Sequence, residues 1–307
     1  MSKTAFLFAG QGAQFVGMGK DLCENFDSAK ALFDQANDIL GYDLASICFD
    51  GPEDELTKTE HAQPGIYLVS WVAMQLFQEK LPSLSRDATA GLSLGEFTAL
   101  AAAGSLSFED GLKVVRQRGI FMQEACDTTK GGMAAIIGMD QEAVQKVCDE
   151  SGVQLANLNC PGQIVISGAA EKIEAACVQA KAQGAKRALP LPVAGAYHSL
   201  LMQSASGKLA EVLAGTTIAA PSVPVISNVT ADAHGENVAE VLVQQVTSSV
   251  LWEASVRKLI ADGFDTFIEF GPGNALAGFM KRIERGQIVH NVGSVATFEK
   301  TLAALSA

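Results

Sequence analysis

The sequence has no paired-cysteine motif and little positive charge. Its six cysteines are scattered without a C-x-x-C pair, which argues against a structural zinc site or a redox dithiol and fits a reducing cytoplasm. There are 22 Lys and Arg residues against 34 Asp and Glu, a net charge of −12. A nucleic-acid binder needs a basic face for phosphate contacts, so the net charge argues against that class of partner.

A long apolar run is also missing. The longest mostly apolar stretch, residues 66–77, is too short to cross a bilayer and contains Ser70 and Gln75. The apolar run at residues 5–9 is brief and ends in a glycine-rich turn, which is not typical of a signal peptide. With 307 residues, 48% of them hydrophobic, we predict a soluble cytoplasmic protein of one large or two smaller domains, without membrane attachment.

Short apolar β-type runs alternate with helical stretches, which predicts an α/β fold with a mostly parallel sheet. Between residues 133 and 191 the predicted order changes to β-α-β-β-α-β, the ferredoxin-like arrangement. We therefore expect residues 129–196 to form a small domain inserted into a larger one, which comprises residues 1–128 and 197–307.

The pentapeptide Gly91-Leu92-Ser93-Leu94-Gly95 is a G-x-S-x-G sequence between a predicted strand and a predicted helix. In that context such a turn exposes the Ser hydroxyl, and the next backbone N–H faces the developing oxyanion. The flanking glycines are expected where a Cβ would clash. An ordinary glycine-rich turn explains the pentapeptide alone equally well, but its placement favours Ser93 as a nucleophile.

A serine nucleophile needs a base, and the chain has four histidines. His61 lies in a polar helical stretch, His234 in a polar turn where we expect it to be solvated, and His290 after an apolar pair. His198 follows an apolar run and begins a helix, so it lies at the end of an element, where catalytic groups are usually presented. We predict His198 as the base.

Arg118 is the most informative charge. On its predicted helix the positions three and four residues away are all apolar. A guanidinium there keeps its proton and needs an anion. That anion is either one of the protein's own carboxylates or the carboxylate of a substrate bound beside the nucleophile.

The loop Gly10-Gln11-Gly12-Ala13-Gln14 follows the first predicted strand. It lacks the third glycine of a dinucleotide-binding loop, because Phe15 occupies that position, and no Walker A sequence occurs. A tight loop here is better suited to supply an N–H to an oxyanion hole, although an ordinary strand–helix turn remains possible.

Ordered motifs over nearly the whole length resemble the malonyl-CoA:acyl carrier protein transacylases of bacterial fatty acid synthesis and the related acyltransferase domains of polyketide synthases. The motifs are Gly10-Gln11-Gly12-Ala13-Gln14, Gly91-Leu92-Ser93-Leu94-Gly95-Glu96, Gln117-Arg118-Gly119, Pro161-Gly162-Gln163, Tyr197-His198-Ser199, Ser227-Asn228-Val229 and Gly271-Pro272-Gly273.

The resemblance implies a hydrolase-like domain with a ferredoxin-like insert, and transfer of a malonyl group from malonyl-CoA to acyl carrier protein. No metal or redox cofactor is implied. The expected site residues are Ser93 (acylated nucleophile), His198 (base and acid), Arg118 (malonyl carboxylate), Gln11 and Leu94 (backbone oxyanion hole), Gln63 (pocket wall) and Gln245 (main-chain carbonyl that orients His198).

Two positions bear on acyl choice. The family usually has His before the nucleophile, where this chain has Leu92, and the change removes a polar neighbour of the acyl pocket. Tyr197, before His198, favours malonyl, because related domains tend to have an aromatic residue there for malonyl and a smaller one for methylmalonyl. We expect malonyl as the acyl group.

Alternative functions are a serine esterase or thioesterase, which would leave Arg118 without a use, an acyltransferase loading another acyl group in polyketide synthesis, and an inactive scaffold. A hydrolase triad would need an Asp or Glu between Ser93 and His198. Most carboxylates after Glu124 in this interval fall in the predicted insert and are expected on its surface. If the Gln245 carbonyl orients His198 instead, the Gln245 side chain is expected to be dispensable.

Coenzyme A and carrier proteins are acidic, as is this chain, so binding must depend on local positive charge. The candidates are Lys186-Arg187 in the insert and Lys281-Arg282 with Arg285 after the Gly-Pro-Gly turn. Either cluster also fits an ordinary solvated surface.

Overall fold

A computed structural model describes residues 2–306. The larger part of the chain contains one sheet and most of the helices. Its elements are β1 (Thr4–Phe8), α1 (Lys20–Asn25), α2 (Asp27–Leu40), α3 (Leu44–Asp50), α4 (Glu53–Thr57), α5 (Thr59–Lys80), β2 (Ala88–Gly91), α6 (Leu94–Ala102), α7 (Phe108–Thr128), a 3-10 turn (Leu200–Met202), α10 (Gln203–Ala214), β7 (Val225–Ile226), α11 (Val238–Gln245), α12 (Trp252–Ala261), β8 (Thr266–Phe270), α13 (Ala275–Ile283), β9 (Val289–Val292) and α14 (Val295–Leu305).

The remaining elements form a second sheet in the middle of the chain. They are β3 (Gly131–Ile137), α8 (Gln141–Ser151), β4 (Gln154–Cys160), β5 (Gln163–Ala169), α9 (Ala170–Ala182) and β6 (Arg187–Pro190). The strand order is β4-β5-β3-β6, and every neighbouring pair is antiparallel. This is the predicted βαββαβ arrangement.

The five-stranded sheet has the order β7-β2-β1-β8-β9 and is parallel throughout. Its central strand β1 is buried along its whole length, as expected for a strand covered by helices on both faces. The predicted α/β class, with a mostly parallel sheet and a separate ferredoxin-like unit, is confirmed. The exact domain boundaries at residues 129 and 196 stay a prediction.

The core around this sheet is aromatic and aliphatic. Phe6, Phe8, Phe77 and Phe270 are fully buried and stack or meet edge to face with ring centroids 4.8–5.9 Å apart. Within residues 2–306, none of the helices is long and apolar enough to cross a membrane.

In a parallel sheet with strands crossing over through helices, ligands bind beyond the carboxyl ends of the strands. The loops after β1, β2 and β8 all leave at that edge, and they carry Gln11, Ser93 and Gly271 respectively. The fold thus brings three of the motifs together although they are far apart in sequence.

Candidate active site

Ser93 lies at the sharp turn between β2 and α6. Its backbone has φ 53° and ψ −101°, a region that a non-glycine residue adopts only at a cost. The turn is also crowded: a Cβ at Gly91 would approach the backbone of Gly95 to 2.0 Å, and a Cβ at Gly95 would approach the carbonyl oxygen of Phe8 to 2.3 Å. Both flanking positions therefore require glycine, as the sequence predicted.

The hydroxyl of Ser93 meets the imidazole of His198. Ser93 Oγ lies 2.8 Å from His198 Nε2, and His198 Nδ1 lies 3.0 Å from the main-chain carbonyl oxygen of Gln245. A carbonyl only accepts, so Nδ1 carries the proton and Nε2 is free to accept one from Ser93. The structure thus places together the three groups that the sequence analysis assigned to nucleophile, base and orienting carbonyl.

Burial is the main reason why the pKa of His198 is lowered, to about 4. The positive charge of Arg118 lowers the pKa further, while hydrogen bonds with the backbone of Gln245 and Ser248 oppose the shift. The imidazole is consequently neutral at neutral pH, which is the form a general base requires.

Arg118 is 1% exposed on α7, and its guanidinium points at Ser93. Its Nη1 donates to Gln63 Oε1 at 2.8 Å, and its Nη2 donates to Ser93 Oγ at 3.1 Å and to Gln245 Oε1 at 2.9 Å. Burial lowers the pKa of Arg118 to about 10, opposed by the charge of Glu96, so the group remains charged at neutral pH. Within residues 2–306 no carboxylate pairs directly with this guanidinium, and every oxygen it contacts is neutral.

A cavity of about 310 Å³ opens beside Ser93, between the two sheets. Its wall includes Leu92, Met133, Asn159, Tyr197 and Phe279. Leu92 and Tyr197 thus lie where the sequence analysis placed them. Gln63 does not: it is fully buried behind Arg118, to which its Oε1 is bonded, and its Nε2 donates to Gln11 Oε1 at 3.2 Å. The expectation of a pocket-wall glutamine is corrected to one that supports Arg118.

The two predicted oxyanion donors are the backbone amides of Gln11 and Leu94. Leu94 is the first residue of α6, so its N–H has no partner within the helix. Gln11 follows β1 and lines the same cavity as Ser93. In the part of the chain that the structure describes, neither amide donates a backbone hydrogen bond, which leaves both available to an oxyanion.

Tyr197 lies on the cavity wall. Burial is the main reason why its pKa is raised above the usual range. The phenol therefore stays protonated at neutral pH.

Sequence reasoning missed a buried polar cluster next to the turn at Ser93. Glu96, fully buried in α6, faces His234 Nε2 at 2.6 Å and accepts from Gln245 Nε2 at 2.6 Å and from the Asn228 backbone N–H at 3.1 Å. The prediction that His234 is solvated was wrong, because its imidazole is completely buried against Glu96. One signal was present in the sequence: Glu96 is a lone carboxylate in an apolar helix, the pattern that had singled out Arg118.

The Gln245 side chain also differs from expectation. It was expected to be idle, yet its amide contacts Arg118, Glu96 and, through Nε2, the main-chain oxygen of Ser93 at 2.9 Å. The carboxylates expected on the surface of the insert are indeed exposed: Asp140, Glu142, Asp149 and Glu171.

The two candidate basic clusters lie in different units: Lys186-Arg187 is at β6 in the four-stranded sheet, and Lys281-Arg282 is on α13 beside the five-stranded sheet. Arg282, on α13, donates to Gln163 Oε1 and to the Pro161 carbonyl oxygen, each at 2.7 Å. It therefore bridges the two units, and Phe279 on the same helix reaches the cavity.

The chain is an acyltransferase by class, because residues 5–298 match the family model described as "Acyl transferase domain". The chain is 50% identical to the malonyl CoA-acyl carrier protein transacylase of Bacillus subtilis over 99% of this chain and 98% of that protein, and 42% identical to the Escherichia coli protein of the same name over 92% and 93%.

Solved structures agree. The malonyl CoA-acyl carrier protein transacylase of Clostridium perfringens superposes with a TM-score of 0.95 at 42% identity, covering 99% of this chain and 98% of that one. A malonyl-transacylase in complex with its type II polyketide acyl carrier protein gives a TM-score of 0.95 at 38% identity, covering 99% and 100%. The chain therefore belongs to the malonyl CoA-acyl carrier protein transacylase family.

Proposed function

We propose that this protein transfers a malonyl group from malonyl-CoA to the phosphopantetheine thiol of acyl carrier protein, through a malonyl ester of Ser93. The observation that carries the proposal is the position of Arg118: a charged guanidinium bonded only to neutral oxygens and 3.1 Å from the nucleophilic Oγ. A carboxylate on the acyl group is the anion that such a fork lacks. Full-length similarity to malonyl transacylases supports the assignment.

In the first half-reaction Ser93 Oγ attacks the thioester carbonyl carbon while His198 Nε2 takes the hydroxyl proton. The negative charge on the carbonyl oxygen is stabilised by the N–H groups of Gln11 and Leu94. When the C–S bond breaks, His198 returns the proton to the sulfur of coenzyme A, and malonyl-Ser93 remains.

The second half-reaction runs the same steps with a new nucleophile. The carrier's phosphopantetheine thiol gives its proton to His198 and attacks the ester carbonyl. The C–O bond breaks, Ser93 recovers the proton and malonyl-carrier protein leaves. The same residues thus carry out both half-reactions, and no further reactant is needed.

A carrier protein of polyketide synthesis is the second candidate acceptor, favoured by the similarity to a transacylase solved with such a carrier. The esterase alternative is disfavoured because hydrolysis of a simple ester gives Arg118 no role.

Residues 1–128 with 197–307 are proposed as the catalytic domain and residues 129–196 as the insert. A cytoplasmic location is proposed because all six cysteines are free thiols.

Intact mass spectrometry tests the function directly. The protein is mixed with malonyl-CoA, and acyl carrier protein bearing phosphopantetheine is added afterwards. A malonyl adduct that persists in buffer and moves to the carrier supports transfer. An adduct that disappears in buffer before the carrier is added identifies a hydrolase and contradicts the proposal.

A further inference from the structure

The carboxylate of Glu96 bonds to both the Gln245 side chain and the Asn228 backbone, and these two residues in turn contact Arg118 and the Ser93 backbone. Its Oε2 accepts from the Asn228 backbone N–H and from Gln245 Nε2, and its Oε1 faces His234 Nε2. Glu96 and the His234 side chain are fully buried. The Glu96 oxygens make no hydrogen bond with Ser93 Oγ, His198 or Arg118, so the hydrogen bonds of Glu96 reach these residues only through Gln245 and Asn228.

Glu96 determines which way the Gln245 amide is turned. A carboxylate only accepts hydrogen bonds, as does the main-chain oxygen of Ser93, and both lie at the same end of the Gln245 side chain. That end must be the NH₂ group. The opposite end is then the oxygen, which accepts from Arg118 Nη2 at 2.9 Å. With the amide reversed, Nε2 would face a guanidinium that can only donate.

The second connection reaches the backbone of the nucleophile. Asn228, whose backbone N–H is bonded to Glu96, accepts from the Ser93 N–H at 2.6 Å through Oδ1 and donates to the Gly91 carbonyl oxygen at 2.7 Å through Nδ2. These bonds span the strained turn at Ser93, where φ is 53°. Fixing Asn228 therefore helps to maintain the position of the nucleophile.

Glu96 also supplies charge without contact. Its negative charge raises the pKa of Arg118 against the effect of burial. The Gln245 amide is bonded to both Glu96 and Arg118 and separates them. Arg118 therefore has a negative charge nearby without a carboxylate bonded to its guanidinium. A direct ion pair with Glu96 would have satisfied the guanidinium and prevented it from binding a substrate carboxylate.

We propose that Glu96 is a positioning residue for malonyl transfer, which orients the Gln245 amide so that Arg118 faces the acyl site with no protein carboxylate bonded to its guanidinium. The proposal depends on the malonyl transfer proposed above. Loss of Glu96 should therefore affect malonyl more than an acyl group without a carboxylate, since only malonyl uses Arg118.

Single-turnover acylation of Ser93 by malonyl-CoA and by acetyl-CoA, followed by intact mass, measures this selectivity. In Glu96→Ala we expect malonylation to fall about 100-fold and acetylation by about tenfold or less, since loss of a positioning contact costs up to about two decades. The malonyl-to-acetyl ratio then falls about tenfold. A structural defect would lower both rates by the same factor.

Glu96→Gln tests the orientation argument. Its oxygen can still accept from Gln245 and Asn228, and its NH₂ can donate to His234 Nε2 if that imidazole changes tautomer. We expect the ratio to remain within about threefold of the wild type. Thr98→Val is the matched control: Thr98 is fully buried on the same helix and its hydroxyl has no partner in the described residues, so both rates should be unchanged.

A ratio within twofold of wild type in folded Glu96→Ala overturns the inference, as does a Glu96→Gln ratio as low as that of Ala. If Glu96→Ala does not fold, Glu96→Asp decides. Its shorter carboxylate is expected to lose the Gln245 contact and lower the ratio, and an unchanged ratio contradicts the proposal. A wild-type protein that takes no malonyl group would instead refute the proposed function itself.

Discussion

The Nδ1 atom of His198 lies 3.0 Å from the main-chain oxygen of Gln245, where a hydrolase triad has a carboxylate. Within residues 2–306 the only His–carboxylate pairs involve His61 and His234. A carbonyl fixes the tautomer but stabilises an imidazolium less than a buried Asp does. That weaker support suits an enzyme whose second acceptor is a thiol, which needs less activation than water.

The first prediction concerns pH. Because the pKa of His198 is about 4, acylation by acetyl-CoA, whose acyl group does not titrate, should be constant from neutral pH down to about pH 5 and fall only below it. Rapid-quench acylation across this range measures the profile. A half-maximal rate near pH 6.5, the ordinary value for His, would show that burial does not control this base.

The lowered pKa of His198 also affects the stability of the protein. Between pH about 6.5 and 4 the unfolded chain binds a proton at residue 198 that the folded protein does not. The contribution of this group to the free energy of unfolding is therefore complete above the unfolded pKa and is lost as the pH falls through this window. His198→Gln should show a smaller loss than the wild type in urea titrations.

The second prediction is that Ser93→Ala folds but takes no malonyl adduct. The cysteines do not substitute for it, because burial raises their thiol pKa values, that of Cys126 to about 11 and that of Cys148 to about 12, so little thiolate forms at neutral pH. Intact mass after malonyl-CoA treatment checks this. A remaining adduct would mean that Ser93 is not the nucleophile.

The third prediction separates binding of the acyl carboxylate from structure. Arg118→Ala should lose about one to two decades of malonyl transfer, the equivalent of about 1.5–3 kcal/mol for a charged hydrogen bond, while acetyl transfer is retained or gained. Competition between the two acyl-CoAs gives the ratio. Equal losses would indicate that Arg118 only supports Gln63, Gln245 and Ser93.

The fourth prediction revises the expectation of a dispensable Gln245 side chain. Gln245→Ala keeps the main-chain carbonyl that holds His198 but removes the bonds to Arg118 and Glu96. We now expect malonyl transfer to fall by at least about tenfold. Gln244→Ala, at the exposed neighbouring position, is the control. A loss well under tenfold would restore the original expectation.

The fifth prediction concerns Leu92, which lies on the cavity wall beside Ser93. Leu92→His adds the polar group that the family usually has, and one neutral hydrogen bond is worth about 0.5–1.5 kcal/mol. Malonyl preference over acetyl should rise roughly two- to tenfold. Unchanged competition between the two acyl-CoAs would contradict it.

Much of the site was predictable because each feature has a local signature. The glycines around Ser93 are required by clashes within one turn, and the apolar neighbours of Arg118 follow from helix periodicity. The βαββαβ order was visible as alternating patterns. Glu96, His234 and the Gln245 side chain were not found, since a polar residue in the sequence does not reveal its partner.

The sequence by itself determined the order of the elements and the glycine-flanked turn at Ser93, and it singled out Ser93, His198 and Arg118 as the candidates for nucleophile, base and cation. Only the tertiary structure decided that Arg118 on α7, Gln245 at the end of α11 and Glu96 on α6 form one buried network, across separations of up to 149 residues. Buried polar groups must find partners within hydrogen-bonding distance. Which groups come within that distance depends on how the helices pack around the carboxyl ends of the parallel strands, and this packing cannot be read from the order of residues alone.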